Sequence, residues 1–451
     1  MYLFNPDNDL ALANFTPNYT PPASATRMAE ELAVLPIWYA GEDEGIVGRE
    51  ISVAEGGAAV ATQTAGQNGR VGENAMMNGC DVLGEENTMI AGEVAVITVG
   101  KKETAKDTKV IAGGELNRSF LEAVKKVLPM EASLIPFSDI ALYPHLKIVP
   151  WGWNPAVRRK LISYGAKEEA LPSPEELVRL KGYSNRQHAV EILQELQTEE
   201  EEFCGESRFF TNTEELYAYL QSMPGNKVLK MPLSGSGKGL IWILGEITDK
   251  QRDWCRRVIR EQGGVVAEPV LNKVQDFAME FYLHEGQIRF AGYSMFSAAA
   301  SGAYTGNELL SDFRIEEKLC KYAPIELLHR LRNSLTEKLS RRFPLYSGYA
   351  GVDMMICETP EGYRIQPCVE INMRMNMGMV ARIFYERYMH PGTEGRFVVD
   401  YFKKPESALS FHEKMQRENP LTVKDKKISS GYLPLTPVTA DTRYTAYVIV
   451  C

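Results

Sequence analysis

The chain predicts a mixed α/β and α+β protein of two or three domains, on three observations. At 451 residues it is far too long for one small core. The first ~35 residues read as a short strand, a polar turn and a helix, which is how an α/β layer begins. From about residue 207 onward, β-rich runs alternate with helical patterns, and the clearest hairpin in the chain lies near the end of that stretch.

The elements follow in order. A short strand leads into the polar turn Asn5-Pro6-Asp7-Asn8-Asp9, then apolar Leu10-Ala11-Leu12-Ala13. Ser24 to Leu32 has a helix-start composition, and Leu35-Pro36-Ile37-Trp38-Tyr39 reads as a second strand. Residues 42–115 are dense in Gly and Ala and poor in aromatics, and read as an insertion whose strand candidate is Val94 to Val99. A helical pattern resumes from Leu116 to Lys126, and Leu146 to Pro150 reads as a strand ending in Trp151-Gly152-Trp153-Asn154-Pro155. Residues 156–200 are helical by pattern, with Ser173-Pro174-Glu175-Glu176 a good helix start. Strands are expected at Val228–Met231, Leu240–Leu244, Val265–Glu268 and Phe277–Leu283, then a long amphipathic helix from Ile325 to Phe343. The charged tail ends in a strand-like run from Tyr444 to Val450.

Hydrophobic content of 44% and charged content of 24% are those of an ordinary globular protein, and a net charge of −9 argues against a nucleic-acid binder. Seven cysteines, odd in number and without a C-x-x-C pair, read as reduced thiols. The opening Met1-Tyr2-Leu3-Phe4 has neither the basic nor the apolar region of a secretory signal, and no apolar run reaches the ~18 residues of a membrane span. The default expectation is therefore cytoplasmic, without a membrane partner.

The chemistry concentrates in Glu370-Ile371-Asn372 and the earlier apolar run Tyr349 to Cys357, which carries Asp353. Residues two apart on a strand share a face, so Glu370 and Asn372 project together. Thr359-Pro360-Glu361-Gly362 has Pro and Gly where a type I turn wants them, and the hairpin brings Asp353 within a residue or two of register with Glu370. Two carboxylates and an amide oxygen on one face are hard oxygen ligands, the set that suits Mg2+ bound to nucleotide phosphates. The plain alternative is a solvated hairpin face.

Upstream, Lys230 ends a β-rich run and is followed by Ser234-Gly235-Ser236-Gly237-Lys238-Gly239. Glycines let backbone N–H groups close over phosphate oxygens, and lysines neutralise charge there. A P-loop is excluded, because Pro232 stands at its first Gly position and Gly239 follows Lys238. The dinucleotide fingerprint fails as well, with Leu240 at its third Gly position. Ala267-Glu268-Pro269-Val270-Leu271, with Asp276 beyond it, makes a third feature. A plain turn and a structural ion pair are the bland readings of these segments; the order and spacing of the whole set are more specific than any member.

That set resembles the ATP-grasp superfamily, in which two α+β subdomains clamp Mg-ATP, and the resemblance covers roughly residues 175–400. It implies an N-terminal α/β domain of the kind that precedes such modules over 1–155, carrying the insertion near 42–115. An ATP-grasp module over 156–405, with a lid-like subdomain at about 207–270, and a C-terminal extension over 406–451 would follow. By the resemblance Lys230 contacts the α- and β-phosphates, and the loop Ser234, Gly235, Ser236, Gly237 and Lys238 closes over the β- and γ-phosphates. The hinge Glu268–Leu271 reads adenine, through the Pro269 carbonyl and the Leu271 N–H. Asp276 contacts ribose, and Asp353, Glu370 and Asn372 bind Mg2+ or Mn2+. Arg374, two residues past Asn372, is the candidate for a substrate carboxylate or the transferring phosphate, and with Lys238 makes the catalytic pair.

There are departures from the pattern. Met373 and Gly351 differ from common family residues, Arg186 stands in for a second phosphate-binding lysine, and Arg289 and Arg314 compete for the γ-phosphate contact. The implied activity is ATP-dependent ligation of a small carboxylate to an amine or thiol through an acyl phosphate. A phosphotransferase acting on a hydroxyl and a non-catalytic nucleotide-binding regulator are the alternatives. The partners implied are small molecules, with a homo-oligomer left open. The turn Asn5 to Asp9 reads either as a holder for a substrate ammonium or as a helix cap.

Overall fold

A computed structural model describes residues 1–41, 108–235, 237, 239–298, 302 and 304–451. The strand expected at Val94–Val99 lies outside them, as do Ser236 and Lys238.

Three sheets organise the described residues. The first is parallel, with β1 (Tyr2–Leu3), β2 (Lys109–Ile111), β3 (Ser133–Ile135) and β4 (Val149–Pro150) in the order β3-β2-β1-β4. Helices α1 (Asn8–Asn14), α2 (Ala23–Glu31), α3 (Glu115–Lys125) and α4 (Pro155–Ser163) accompany it. β2 lies within the span read as the insertion and pairs with β1 on one side and β3 on the other.

Helices α5 (Pro174–Tyr183) and α6 (Gln187–Glu199) then lead into the second sheet. α5 begins as its sequence implies, with a reciprocal capping box between Ser173 and Glu176. The second sheet is antiparallel, built from β5 (Arg208–Phe210), β6 (Lys227–Lys230), β7 (Leu240–Ile243) and β8 (Val265–Pro269) in the order β5-β8-β6-β7. It carries α7 (Thr213–Ser222) and α8 (Asp249–Gln262), which share one small apolar core with it.

The third sheet has nine strands. Its first part comprises β9 (Lys273–His284), β10 (Gln287–Ala298), β11 (Tyr304–Leu309), β12 (Gly348–Thr359) and β13 (Gly362–Asn372), with α9 (Asp312–Leu319) and α10 (Ile325–Arg342) between β11 and β12. α10 buries Leu327, Leu328, Leu331, Leu335 and Leu339, a stripe at helical spacing that packs on this sheet. After α11 (Met377–Tyr388) come β14 (Gly395–Tyr401), α12 (Ser407–Glu418), β15 (Thr422–Lys424), β16 (Lys427–Pro434) and β17 (Tyr444–Val450). The order β13-β12-β9-β10-β11-β14-β17-β16-β15 places the C-terminal strands in the same sheet as the hairpin.

The expected strand at Leu35–Tyr39 is instead a 3-10 helix over Leu35–Trp38. Pro36 has no N–H to give a ladder and suits a first helical turn. Tertiary contacts fix the segment: Trp38 is fully buried, donates its indole N–H to the Leu435 carbonyl at 2.7 Å, and packs against Phe384 and Tyr388. One core thereby includes the N-terminal layer, α11 and the C-terminal strands.

Trp38→Ala removes the ring and its hydrogen bond from this junction, and an aromatic-to-Ala core truncation costs about 3–5 kcal/mol. A clear fall in the urea midpoint is expected, and an unchanged midpoint would show that the junction contributes little to stability.

Candidate active site

The hairpin β12–β13 places the ligand set. Near its turn the strands pair Thr359 with Gly362 and Met355 with Gln366, a register that carried onward would set Cys368 opposite Asp353. Pro367 cannot donate to the ladder, and the strand bulges there. The Gln366 side chain bridges the bulge, accepting from Cys368 N at 2.9 Å and donating to Cys368 O at 3.3 Å. The shift is of two residues, so the faces are kept and Glu370 comes opposite Asp353, with Asn372 opposite Gly351.

Across the other edge of β12, Gly351 pairs with Glu280 of β9. Asp353, Glu370, Asn372 and Glu280 therefore share one face. Asn372 Nδ2 donates to Asp353 Oδ2 at 3.1 Å. Glu280, 1% exposed, accepts from Asn376 Nδ2 at 2.8 Å and from Ser294 Oγ at 3.1 Å. A Cβ at Gly351 would lie 2.7 Å from Glu280 Oε2 and 2.5 Å from Asn376 Nδ2, so the missing side chain is what admits this pair.

The electrostatics fit a cation. Burial, followed by the negative charges of Glu370 and Glu280, pushes the Asp353 carboxyl well above its usual range. Burial likewise raises Glu280 to about 7, against the hydrogen bonds from Asn376 and Ser294. A divalent ion held by Asp353, Glu370 and Asn372 would relieve this crowding. Among the described residues no three His, Cys, Asp or Glu side chains converge as a metal cluster, so much of the ion's shell would be left to phosphate oxygens and water.

Arg186, at the N-cap of α6, joins this face to the glycine loop. Its Nη1 donates to Met231 O and Ser234 Oγ, each at 2.6 Å. Its Nη2 donates to Ser234 O at 3.0 Å and to Glu370 Oε1 at 2.6 Å. Arg186 is thus a basic side chain beside the ligand set, bonded to Glu370. Neither competitor is: Arg314 pairs with Glu317 and Glu394 at the surface, and Arg289 does not line the cleft described below.

Arg374 grips the N-terminal layer. Its Nε and Nη2 donate to the two oxygens of Asp9 at 2.7 Å each, Nη2 also to Asn372 Oδ1 at 3.0 Å, and Nη1 to Met375 O at 3.1 Å. Burial alone would raise the Asp9 carboxyl, but Arg374 and then Arg186 outweigh it and hold the group below its ordinary value. The next residue continues the junction, Met375 N–H donating to the Trp151 carbonyl at 3.1 Å.

The hinge side is more self-contained. Lys230 Nζ lies 2.7 Å from Glu268 Oε2, and Ser207 donates to Glu268 Oε1 at 2.9 Å. Val270 N–H donates to Asn226 O at 2.9 Å. Asp276 pairs with Lys273 at 2.5 Å; burial raises its carboxyl, opposed by that lysine.

A cleft of about 450 Å³ runs between the N-terminal layer, the glycine loop and the long sheet. Gly235, Gly237, Asp353, Glu370, Asn372 and Arg374 line it, whereas Lys230, Ser234, Glu268, Pro269, Leu271 and Asp276 do not. The cleft also contains Asp9, from the turn read either as an ammonium holder or as a helix cap, and Glu280, whose part in the site the sequence reading missed. A signal for Glu280 existed, since it is the one charge inside the apolar run Phe277–Leu283.

No protein-family model matches the chain, and no curated protein matches it. Solved structures to which it is similar include N5-carboxyaminoimidazole synthetase from Staphylococcus aureus complexed with ADP, at 12% identity and TM-score 0.40 over 76% of this chain and 92% of that one. Biotin carboxylase from Campylobacter jejuni is similar at 12% identity and TM-score 0.42, over 73% of this chain and 80% of that one. L-amino acid ligase from Bacillus licheniformis is similar at 12% identity and TM-score 0.39, over 71% and 82%. All three are ATP-grasp superfamily members. At such identities and TM-scores nothing about activity passes from them to this chain.

The raised Glu280 carboxyl has a measurable consequence. Titrating at about 7 instead of 4.5, it keeps a proton in the folded state that the unfolded chain releases between those values. Its contribution to stability is full below the lower value and is lost as pH rises through the upper one, a span of about 3 kcal/mol. Glu280→Gln is expected to gain up to about that much on the ligand-free wild type between about pH 5 and pH 8. Urea denaturation at both pH values checks this, and a constant difference would refute it.

Proposed function

We propose that the protein is an ATP-grasp-type enzyme that joins a small carboxylate to an amine through an acyl phosphate formed from Mg-ATP. The observation that carries this reading is the convergence on one cleft of the Asp353–Glu370–Asn372 face, the glycine loop tethered by Arg186, and Arg374. Transfer of a phosphoryl group needs positioning and charge neutralisation more than covalent help from the protein, and these are the groups for it.

In this reading Asp353, Glu370 and Asn372 hold the divalent ion. When bound, that ion neutralises charge on the β- and γ-phosphates and orients them. Arg186 supplies a fixed positive charge where Ser234 meets Glu370, and the backbone N–H groups of the loop take phosphate oxygens. Lys230 and Lys238 add positive charge on the nucleotide side, with Glu268, Pro269 and Leu271 at adenine and Asp276 at ribose. Arg374 presents its charge to the donor carboxylate. Glu280 faces the cleft from the same sheet face, poised near neutrality to take a proton from the incoming ammonium, so that the neutral amine attacks the acyl carbon and phosphate leaves. Closure of the glycine loop over the nucleotide would keep water from the acyl phosphate.

Glu370→Ala removes one of the two ligand carboxylates and releases Arg186. Calorimetry should show Mg-ATP binding to the wild type that requires magnesium and weakens at least about tenfold in the variant, the scale of losing a charge-assisted ligand. Folded wild-type protein that binds no Mg-ATP would sink the assignment. Hydroxylamine in a turnover mixture should yield a hydroxamate; ADP formation with a phosphorylated hydroxyl product and no hydroxamate would make the enzyme a phosphotransferase.

A further inference from the structure

The Arg374 guanidinium has five N–H donors. Asp9 takes two, Asn372 one and Met375 one, so a single Nη1–H is left. The forked edge that recognises a carboxylate in bidentate fashion is already filled by a carboxylate of the chain itself. An ordinary structural ion pair would be sealed from ligands, but both partners of this one line the cleft. Asp9 also touches the glycine loop: a Cβ at Gly235 would come within 1.9 Å of its Oδ2. The carboxylate therefore lies between Arg374 and the loop that would close on the phosphates.

We infer that Asp9 is the resident ligand of a carboxylate site on Arg374, and that the donor enters by exchanging for it. Resting on the ligase reading above, this also selects the class of donor. A plain monocarboxylate would replace one charge-assisted pair by another and leave Asp9 as an uncompensated carboxylate in a poorly solvated place, which is costly. A zwitterionic donor, with an ammonium close to its carboxylate, gives Arg374 a new partner and Asp9 a cation in the same step. The donor class assigned is thus an amino acid or a peptide of similar charge layout, and Asp9 is the residue that sets the preference.

The probes are ¹³C-labelled acetate and ¹³C-labelled glycine, titrated by NMR into the full-length protein without nucleotide, so that the result stands apart from whether Mg-ATP binds. In the wild type glycine should bind at least about tenfold more tightly than acetate, the scale of one charged contact. Asp9→Asn removes the competing charge: acetate should then bind at least about tenfold more tightly than it does to the wild type, and the preference for glycine should vanish. Arg374→Met should abolish binding of both. Equal wild-type affinities for the two probes would overturn the inference even if the Asp9 variant does not fold. Acetate binding that is unchanged or weaker in folded Asp9→Asn would overturn it too, making Asp9 a positioning residue for Arg374.

Discussion

Like charges held on one half-buried sheet face are the constraint around which the rest of this molecule is arranged. Asp353, Glu370 and Glu280 stand within a few residues of one another across three neighbouring strands. Such a face tolerates its charge only through protonation, hydrogen bonds or cations. The protein uses all three: Asp353 and Glu280 have raised carboxyls, Asn372 and Asn376 donate to them, and Arg186 reaches Glu370. Carboxylates whose charge is crowded in this way, lining a cleft, mark a candidate binding site.

The two arginines also explain how separate layers come to share one cleft. Arg186 ties the loop after β6 to the hairpin, and Arg374 ties the hairpin to α1. Each guanidinium bridges elements that no local propensity brings together, with its planar fork satisfying two partners at once. Farther out, the junction is apolar: Trp38 seats the N-terminal layer on α11 and the C-terminal strands.

Much of the candidate site was legible because its signals are local. Strand alternation placed Glu370 and Asn372 on one face, and the turn at Thr359–Gly362 brought back Asp353. Where local reading fell short, a longer-range demand had prevailed. Leu35–Tyr39 has strand composition but forms a 3-10 helix, because Trp38 must reach the Leu435 carbonyl. The hairpin register differs by two residues from the simple pairing, because Pro367 forces a bulge. Asp9 lay in a turn readable as a helix cap or as a holder for a substrate ammonium, and nothing in the sequence pairs it with a residue 365 positions away.

By itself the sequence determined which groups are available: the carboxylates and amide of the hairpin, the glycine loop, the lysine before it, and strands and helices to carry them. Periodicity and turn chemistry act over a few residues and need no partner to be read. The tertiary structure alone decided what those groups face. It set Glu280 among the ligand carboxylates, put Arg186 on Glu370, locked Lys230 to Glu268, and filled the fork of Arg374 with Asp9. Charge pairing and burial depend on distances between distant segments, and those distances exist only once the layers have packed.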